Sequence, residues 1–297
     1  RIIMTKVLNN RLILFNLVII SSIIIGLVKP VYSQYSEIDS SYHPYHVNYL
    51  ATSINILGGG LLEIVGSSWI SNKLPITTSE LENLDRHDMS PVDRWELNFN
   101  PAEMGYFVNL SFQLQIVFVL LPVITMPDHN IRQDWPDILM MYMQTQIVSN
   151  NIYLLSPFGA VFQNRFRPVV YYTSLGNSGV RTTGTDRNSL YSGHTAATAA
   201  ASFFTAKVYC DYHPELGWNK YFIYGAAAIP PLIMGYVRLR ALAHFPSDIL
   251  TGFGVGAVSG ILIPELHRIQ DRNISLGVFS SPEATGLSFS WNTNFLN

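Results

Sequence analysis

Long apolar runs separated by short polar stretches divide this chain, and most are too long for strands. Six segments carry a helical pattern, near residues 47–70, 105–126, 135–163, 193–210, 219–237 and 247–264. Residues 221–237 and 249–264 are apolar, uncharged and close to the length that spans a bilayer. Polar side chains interrupt two other segments: Glu63 in the first, and Gln144, Gln146, Asn150 and Asn151 in the third. Such groups require polar partners or a wet face. The connection from Lys73 to Asn100 is long and polar, and Ser90 to Trp95 reads as a turn with an aromatic anchor. At the C-terminus the period changes to two. Ile274, Leu276 and Val278, then Leu287, Phe289 and Trp291, alternate with Ser and Gly across a turn at 280–286, which predicts a β-hairpin.

The N-terminal run has the makings of a targeting segment. Lys6 and Arg11 precede an apolar stretch from Leu12 to Val28, and Val31-Tyr32-Ser33 offers a cleavage site before Gln34. Lys29, just before that site, leaves an uncleaved anchor as the alternative. The chain therefore divides into a signal peptide or anchor (1–33), a helical domain (34–270) and a tail (271–297), exported to a bacterial cell envelope. Charged residues make up 13% of the chain, against roughly 25% in soluble domains, and the net charge of −2 argues against nucleic acid. One cysteine, Cys210, excludes an internal disulfide framework and suits packing.

Candidate chemistry gathers in three places. Arg238 to Asp248 holds His244 between a cation and a carboxylate, and Pro246 suits the first turn of a helix. Asp248, four residues after His244, is placed to return to the imidazole and fix its tautomer. Upstream, Tyr191-Ser192-Gly193-His194 precedes a small-residue run. Ser192 suits the N-cap, so the Gly193 and His194 amides form an anion site. Earlier still, Arg165 and Arg167 flank Phe166 before Pro168. Each piece alone is weak; together they make a phosphoryl-transfer constellation. The remaining histidines, among them His43, His87, His213 and His267, read as surface or loop residues, and no zinc-type spacing occurs.

In their order and spacing these motifs resemble the type 2 phosphatidic-acid phosphatase superfamily, which includes bacterial acid phosphatases and vanadium haloperoxidases. Its motifs read Lys-x6-Arg-Pro, Pro-Ser-Gly-His and Ser-Arg-x5-His-x3-Asp. Here they stand as Ala160-x6-Arg167-Pro168, Tyr191-Ser192-Gly193-His194 and Val237-Arg238-x5-His244-x3-Asp248. The resemblance implies an all-α, six-helix bundle, to which the hairpin is appended. Three positions depart from the pattern: Ala160 for lysine, Tyr191 for proline and Val237 for serine. Two readings of Arg165 stand side by side: it supplies the missing charge, or it faces solvent or a carboxylate.

The resemblance implies His244 as nucleophile, Asp248 as its support and His194 as general acid and base. Arg167, Arg238 and the Gly193 amide would bind the phosphoryl oxygens, with Arg165 and Ser192 as secondary ligands. No metal or other cofactor is called for, because arginines and a helix end supply the positive field. Arg240 is expected to point away, and Asp186 with Arg187 to form a solvated loop pair near the entrance. The expected activity is hydrolysis of phosphate monoesters, with lipid phosphate or polyprenyl diphosphate as one substrate class. A vanadate-dependent haloperoxidase and a non-catalytic phosphate or headgroup binder are the alternatives. In an up-and-down bundle the motifs share one end and the first helix begins at the other. Export of residue 34 would then turn the site of a fully spanning bundle toward the cytoplasm, whereas a soluble or partly embedded bundle avoids this.

Overall fold

Prolines and capping side chains set the helix boundaries in the computed structural model, which describes residues 43–176, 179–268, 274–280 and 285–291. The proposed signal segment, 1–33, lies outside the described residues. Helix α1 (Tyr49–Ser71) starts at Asn48, whose side chain accepts from the Ala51 amide. The polar connection after it holds two short helices, α2 (Thr78–Glu82) and α3 (Pro91–Arg94). Ser90 caps α3 and Pro91 fills its first turn. Trp95 is no inward anchor: it is exposed, and Glu96 and Leu97 are the buried residues there. Then follow α4 (Met104–Val119), a short α5 (His129–Gln133) capped by Asp128, and α6 (Trp135–Leu155).

Helix α6 ends eight residues before the expected position 163, because Pro157 disfavours helical geometry at Ser156. Helix α7 (Gly193–Tyr212) is central, with fifteen of its twenty residues buried. The expected fifth helix is two: α8 (Lys220–Ala227) and α9 (Ile229–Arg240). Pro230 and Pro231 lack N–H donors and so belong in the first turn of a new helix. Helix α10 (Pro246–His267) completes the body. The described residues therefore contain more helices than the six expected. The six long rods are α1, α4, α6, α7, α8 with α9, and α10. Strands β1 (Ile274–Ser280) and β2 (Thr285–Trp291) pair antiparallel, with Ile274 opposite Trp291.

The rods alternate in direction. The ends of α1, α6 and α9 and the starts of α4, α7 and α10 meet at one end, called upper below. At the lower end the His46 amide donates to the His267 carbonyl (2.9 Å), and Tyr45 bridges Arg268.

Glycines on α10 set its register on α7. A Cβ on Gly252, Gly256 or Gly260 would lie 2.5, 2.1 and 2.6 Å from the carbonyl oxygens of Ser192, Ala196 and Ala200. Both ladders advance four residues at a time, so the backbones touch along one line. The same contact brings the Ser192 amide onto the Asp248 carbonyl at 3.1 Å. Two motifs more than fifty residues apart are thereby locked at one height.

Polar groups face inward. Gln144 bonds His267 (2.7 Å), Gln146 donates to the Tyr142 hydroxyl (2.9 Å), and Asn151 donates to the Gly59 carbonyl (3.1 Å). Outward, α1 exposes Leu50, Ile54, Leu57, Leu61 and Ile64.

Candidate active site

The upper end collects the three motifs, and a sharp helix exit places the central imidazole. After Arg240 the chain turns through Leu242, whose φ is +51°. The Leu242 amide donates to the Leu239 carbonyl (2.8 Å) and the Ala243 amide to that of Arg238 (3.2 Å). This pair of bonds is a Schellman ending, which normally takes glycine at the left-handed position. A leucine there costs roughly 1–2 kcal/mol, and complete burial of its side chain offsets that cost. Arg238 thus lies in the last turn of α9 and His244 just outside α10.

His244 is 2% exposed, and its Nδ1 lies 2.6 Å from the Ser189 carbonyl. A carbonyl only accepts, so Nδ1 carries the hydrogen and Nε2 holds a free electron pair. Burial, with Arg238 and Arg167 nearby, drives His244 well below its ordinary range, so the ring is neutral at pH 7. The expectation that Asp248 would orient this ring is corrected. Asp248 is the third residue of α10, and its Oδ2 accepts from the Phe245 amide at the start of its own helix (2.8 Å). The same oxygen accepts from the Ser189 hydroxyl at 2.6 Å. Asp248 therefore acts on His244 at one remove, by holding the residue whose carbonyl holds the imidazole.

Arg165 is also corrected as a free phosphate ligand. It bonds Asp248 (2.6 Å) and Asp93 (2.8 Å), and Nη1 also donates to the Ser247 hydroxyl (3.1 Å). Of its two sequence readings, the structure has the neighbouring carboxylate. Arg167 and Arg238 differ: the Nε of each is buried without a partner among the described residues. Ser111 on α4 accepts from Arg238 Nη1 at 2.9 Å. Ser192 caps α7, its Oγ accepting from the Thr195 hydroxyl (2.9 Å), while the Gly193 and His194 amides find no partner among the described residues. Phe112 meets the His194 ring edge-on at 5.5 Å. Two guanidinium groups, a helix N-terminus and two imidazoles thus face one another, with unused donors suited to a phosphoryl group.

Other expectations resolve plainly. Arg240 points away, stacking 4.7 Å over Phe107 and pairing with Glu103. Asp186 and Arg187 are no solvated pair: Arg187 grips Glu80 through two bonds of 2.7 and 2.6 Å, and Asp186 accepts from the Thr183 amide. His43 and His213 are paired with Asp134 (2.8 Å) and Asp128 (2.7 Å) at the lower end. Ala160 is fully buried, and the Lys73 ammonium reaches its carbonyl (2.7 Å), that of Gln163 and the Asn188 side chain. Burial, then Arg187, lowers Lys73 to about 8.

Sequence reasoning missed Asp93, Glu96, Ser111 and Ser189, which lie on other elements and match no motif. Glu96 is 0% exposed, and neither carboxyl oxygen has a partner among the described residues. Burial, then Asp248 and Asp93, pushes it from 4.5 up to about 10. An unfolded chain loses this proton near 4.5, so between 4.5 and about 10 folding takes one up. That contribution to stability is present below the unfolded value and is lost as pH rises toward the folded one, at ~1.4 kcal/mol per unit. Glu96→Gln is therefore expected to melt like the parent near pH 5 and above it at pH 8. Parallel melting curves at both pH values would refute a neutral Glu96.

No curated protein and no solved structure matches the chain. A family model described as the PAP2 superfamily matches residues 138–272, a stretch holding both imidazoles, Arg167, Arg238 and Asp248. From α6 to just beyond α10, the chain is therefore similar to the PAP2 superfamily.

Proposed function

We propose that this protein is a membrane-embedded phosphatase that hydrolyses phosphate monoesters through a phosphohistidine on His244. The family match over residues 138–272 supports phosphatase chemistry in general. The observation that carries the finer reading is the bond from His244 Nδ1–H to the Ser189 carbonyl, which leaves Nε2 free beside Arg167 and Arg238. Burial, then Arg238 and Arg167, lowers His194 to about 3, so it takes up a proton together with the anionic ester. Nε2 attacks phosphorus; the P–N bond forms as the ester P–O bond breaks, and the protonated His194 gives the departing alkoxide that proton. Water then attacks phosphorus, His194 takes its proton, the P–N bond breaks and phosphate leaves. Arg167, Arg238 and the Gly193 amide stabilise the charge spread over the equatorial oxygens.

Four helices are long and apolar enough to cross a membrane: Tyr49–Ser71, Pro101–Thr125, Pro214–Arg240 and Pro246–His267. Their exposed faces are rich in Leu, Ile, Val and Phe, while Thr52, Asn55, Ser111 and Ser259 are buried. This inside-out distribution supports a bundle solvated by lipid. Exposed Tyr49, Trp135 and Trp218 at the lower end, and Trp95 and Tyr106 at the upper, suit the two interfaces. A cell-envelope location and a lipid phosphate as substrate accord with that placement.

The test is phosphate release from an aryl phosphate by the detergent-solubilised protein in EDTA. Metal-independent hydrolysis blocked by vanadate is the expected result. A folded protein that binds vanadate but hydrolyses neither aryl nor lipid phosphates would replace the phosphatase reading with that of a binding protein.

A further inference from the structure

The chain has no cation on the side chain at position 160, yet the wall beside that position is not empty. The turn after α6 folds the backbone back, so the Ala160 amide donates to the Tyr153 carbonyl (2.8 Å) and that of Val161 to Leu154 (3.1 Å). Gly159 permits this return, since a Cβ there would lie 2.7 Å from the Tyr153 and Leu154 carbonyl oxygens. Lys73 brings an ammonium to this point, but its three hydrogens meet three oxygens, those of Ala160, Gln163 and Asn188. None remains for a substrate.

Tyr153 itself turns toward the site. A Cβ on Gly193 would sit 3.4 Å from its ring, so the phenol stands directly against the open N-terminus of α7. Tyr191 braces it from the side, edge-on at 5.5 Å. Its charged neighbours are Arg167, Arg238 and Asp248. The side chain is only partly buried, and its hydroxyl has no hydrogen-bond partner among the described residues. A neutral donor beside two guanidinium groups and a helix N-terminus is suited to one ligand chemistry, a tetrahedral oxyanion.

We propose that Tyr153 is a further catalytic residue, its phenolic O–H donating to a phosphoryl oxygen bound between Arg167, Arg238 and the Gly193 amide. The proposal rests on the phosphatase reading for its turnover, though not for its anion. It assigns the wall beside Ala160 to a neutral hydroxyl instead of an ammonium.

Tyr153→Phe keeps the ring against Gly193 and Tyr191 and removes only the hydroxyl. Loss of a hydrogen bond to a charged group is expected to lower kcat/KM for an aryl phosphate about ten- to a hundredfold. Vanadate affinity, read by titration against thermal shift, is expected to fall by a similar factor while the vanadate-free melting point stays put. An active parent and an equally active variant with unchanged vanadate affinity would overturn the role of Tyr153 and leave the phosphatase reading intact. If the parent binds vanadate without turning over, the phosphatase reading fails and the Tyr153→Phe titration still decides: weaker binding supports the assignment, equal binding overturns it. A parent that binds no vanadate overturns both.

Discussion

His244→Ala is expected to abolish phosphate release, with a loss on the order of 10⁴-fold or more, because no neighbouring group replaces the free Nε2. The imidazole is 2% exposed and bonded to the Ser189 carbonyl, so its removal leaves a buried acceptor unpaired. That costs about 1–3 kcal/mol, and a melting curve should show a modest drop without unfolding. Vanadate should still bind, since Arg167, Arg238 and the α7 N-terminus remain. His194→Ala should behave differently, slowing turnover by about 10²–10⁴-fold. With a nitrophenolate leaving group, which needs no proton, its first step is spared and labelled phosphoprotein should accumulate. Substantial activity in the folded His244 variant would rule out the phosphohistidine.

The second large effect concerns Arg165. Its guanidinium lies 2.6 Å from Asp248 and 2.8 Å from Asp93, whose side chains are 0% and 5% exposed. Removing the cation leaves two carboxylates facing each other out of water, a change that typically costs about 3–5 kcal/mol. Glu96 already shows that the cluster does not hold another negative charge. Arg165→Ala is therefore expected to lower the melting point sharply, and adding Asp93→Asn should recover part of the loss. Unchanged stability combined with weakened vanadate binding would instead make Arg165 a direct phosphate ligand.

What the sequence disclosed and what it concealed divide by range. The rods, the cap at Ser192, Pro246 at the start of α10 and the order of the three motifs follow from local rules, since each depends on residues within a turn or two. The Asp248 carboxylate was misassigned because spacing alone does not say which of two nearby donors wins. The open Phe245 amide of its own helix lies closer than the imidazole. Arg165 found Asp93, 72 residues away, across a connection whose polar composition gave no sign of burial. The exit through Leu242 was equally hidden: no glycine marks it, and only burial in the assembled core makes a leucine tolerable there. The break before Ile229 was legible in Pro230 and Pro231, where apolar continuity outweighed the proline rule.

The pairing of Tyr45 with Arg268 has a practical consequence for sidedness. It sets both described ends of the helical body beside the C-terminus of α10, one full helix from His244. At ~1.5 Å per residue, the 22 residues of α10 cover about 33 Å, a bilayer's hydrocarbon thickness. For the proposed membrane-embedded phosphatase, a fluorescent reporter or protease site placed near residue 44 or 268 is therefore expected to sample the compartment opposite the one that receives phosphate. In sealed vesicles of uniform orientation, the face on which the reporter is quenched is the face from which an impermeant phosphate ester is not hydrolysed.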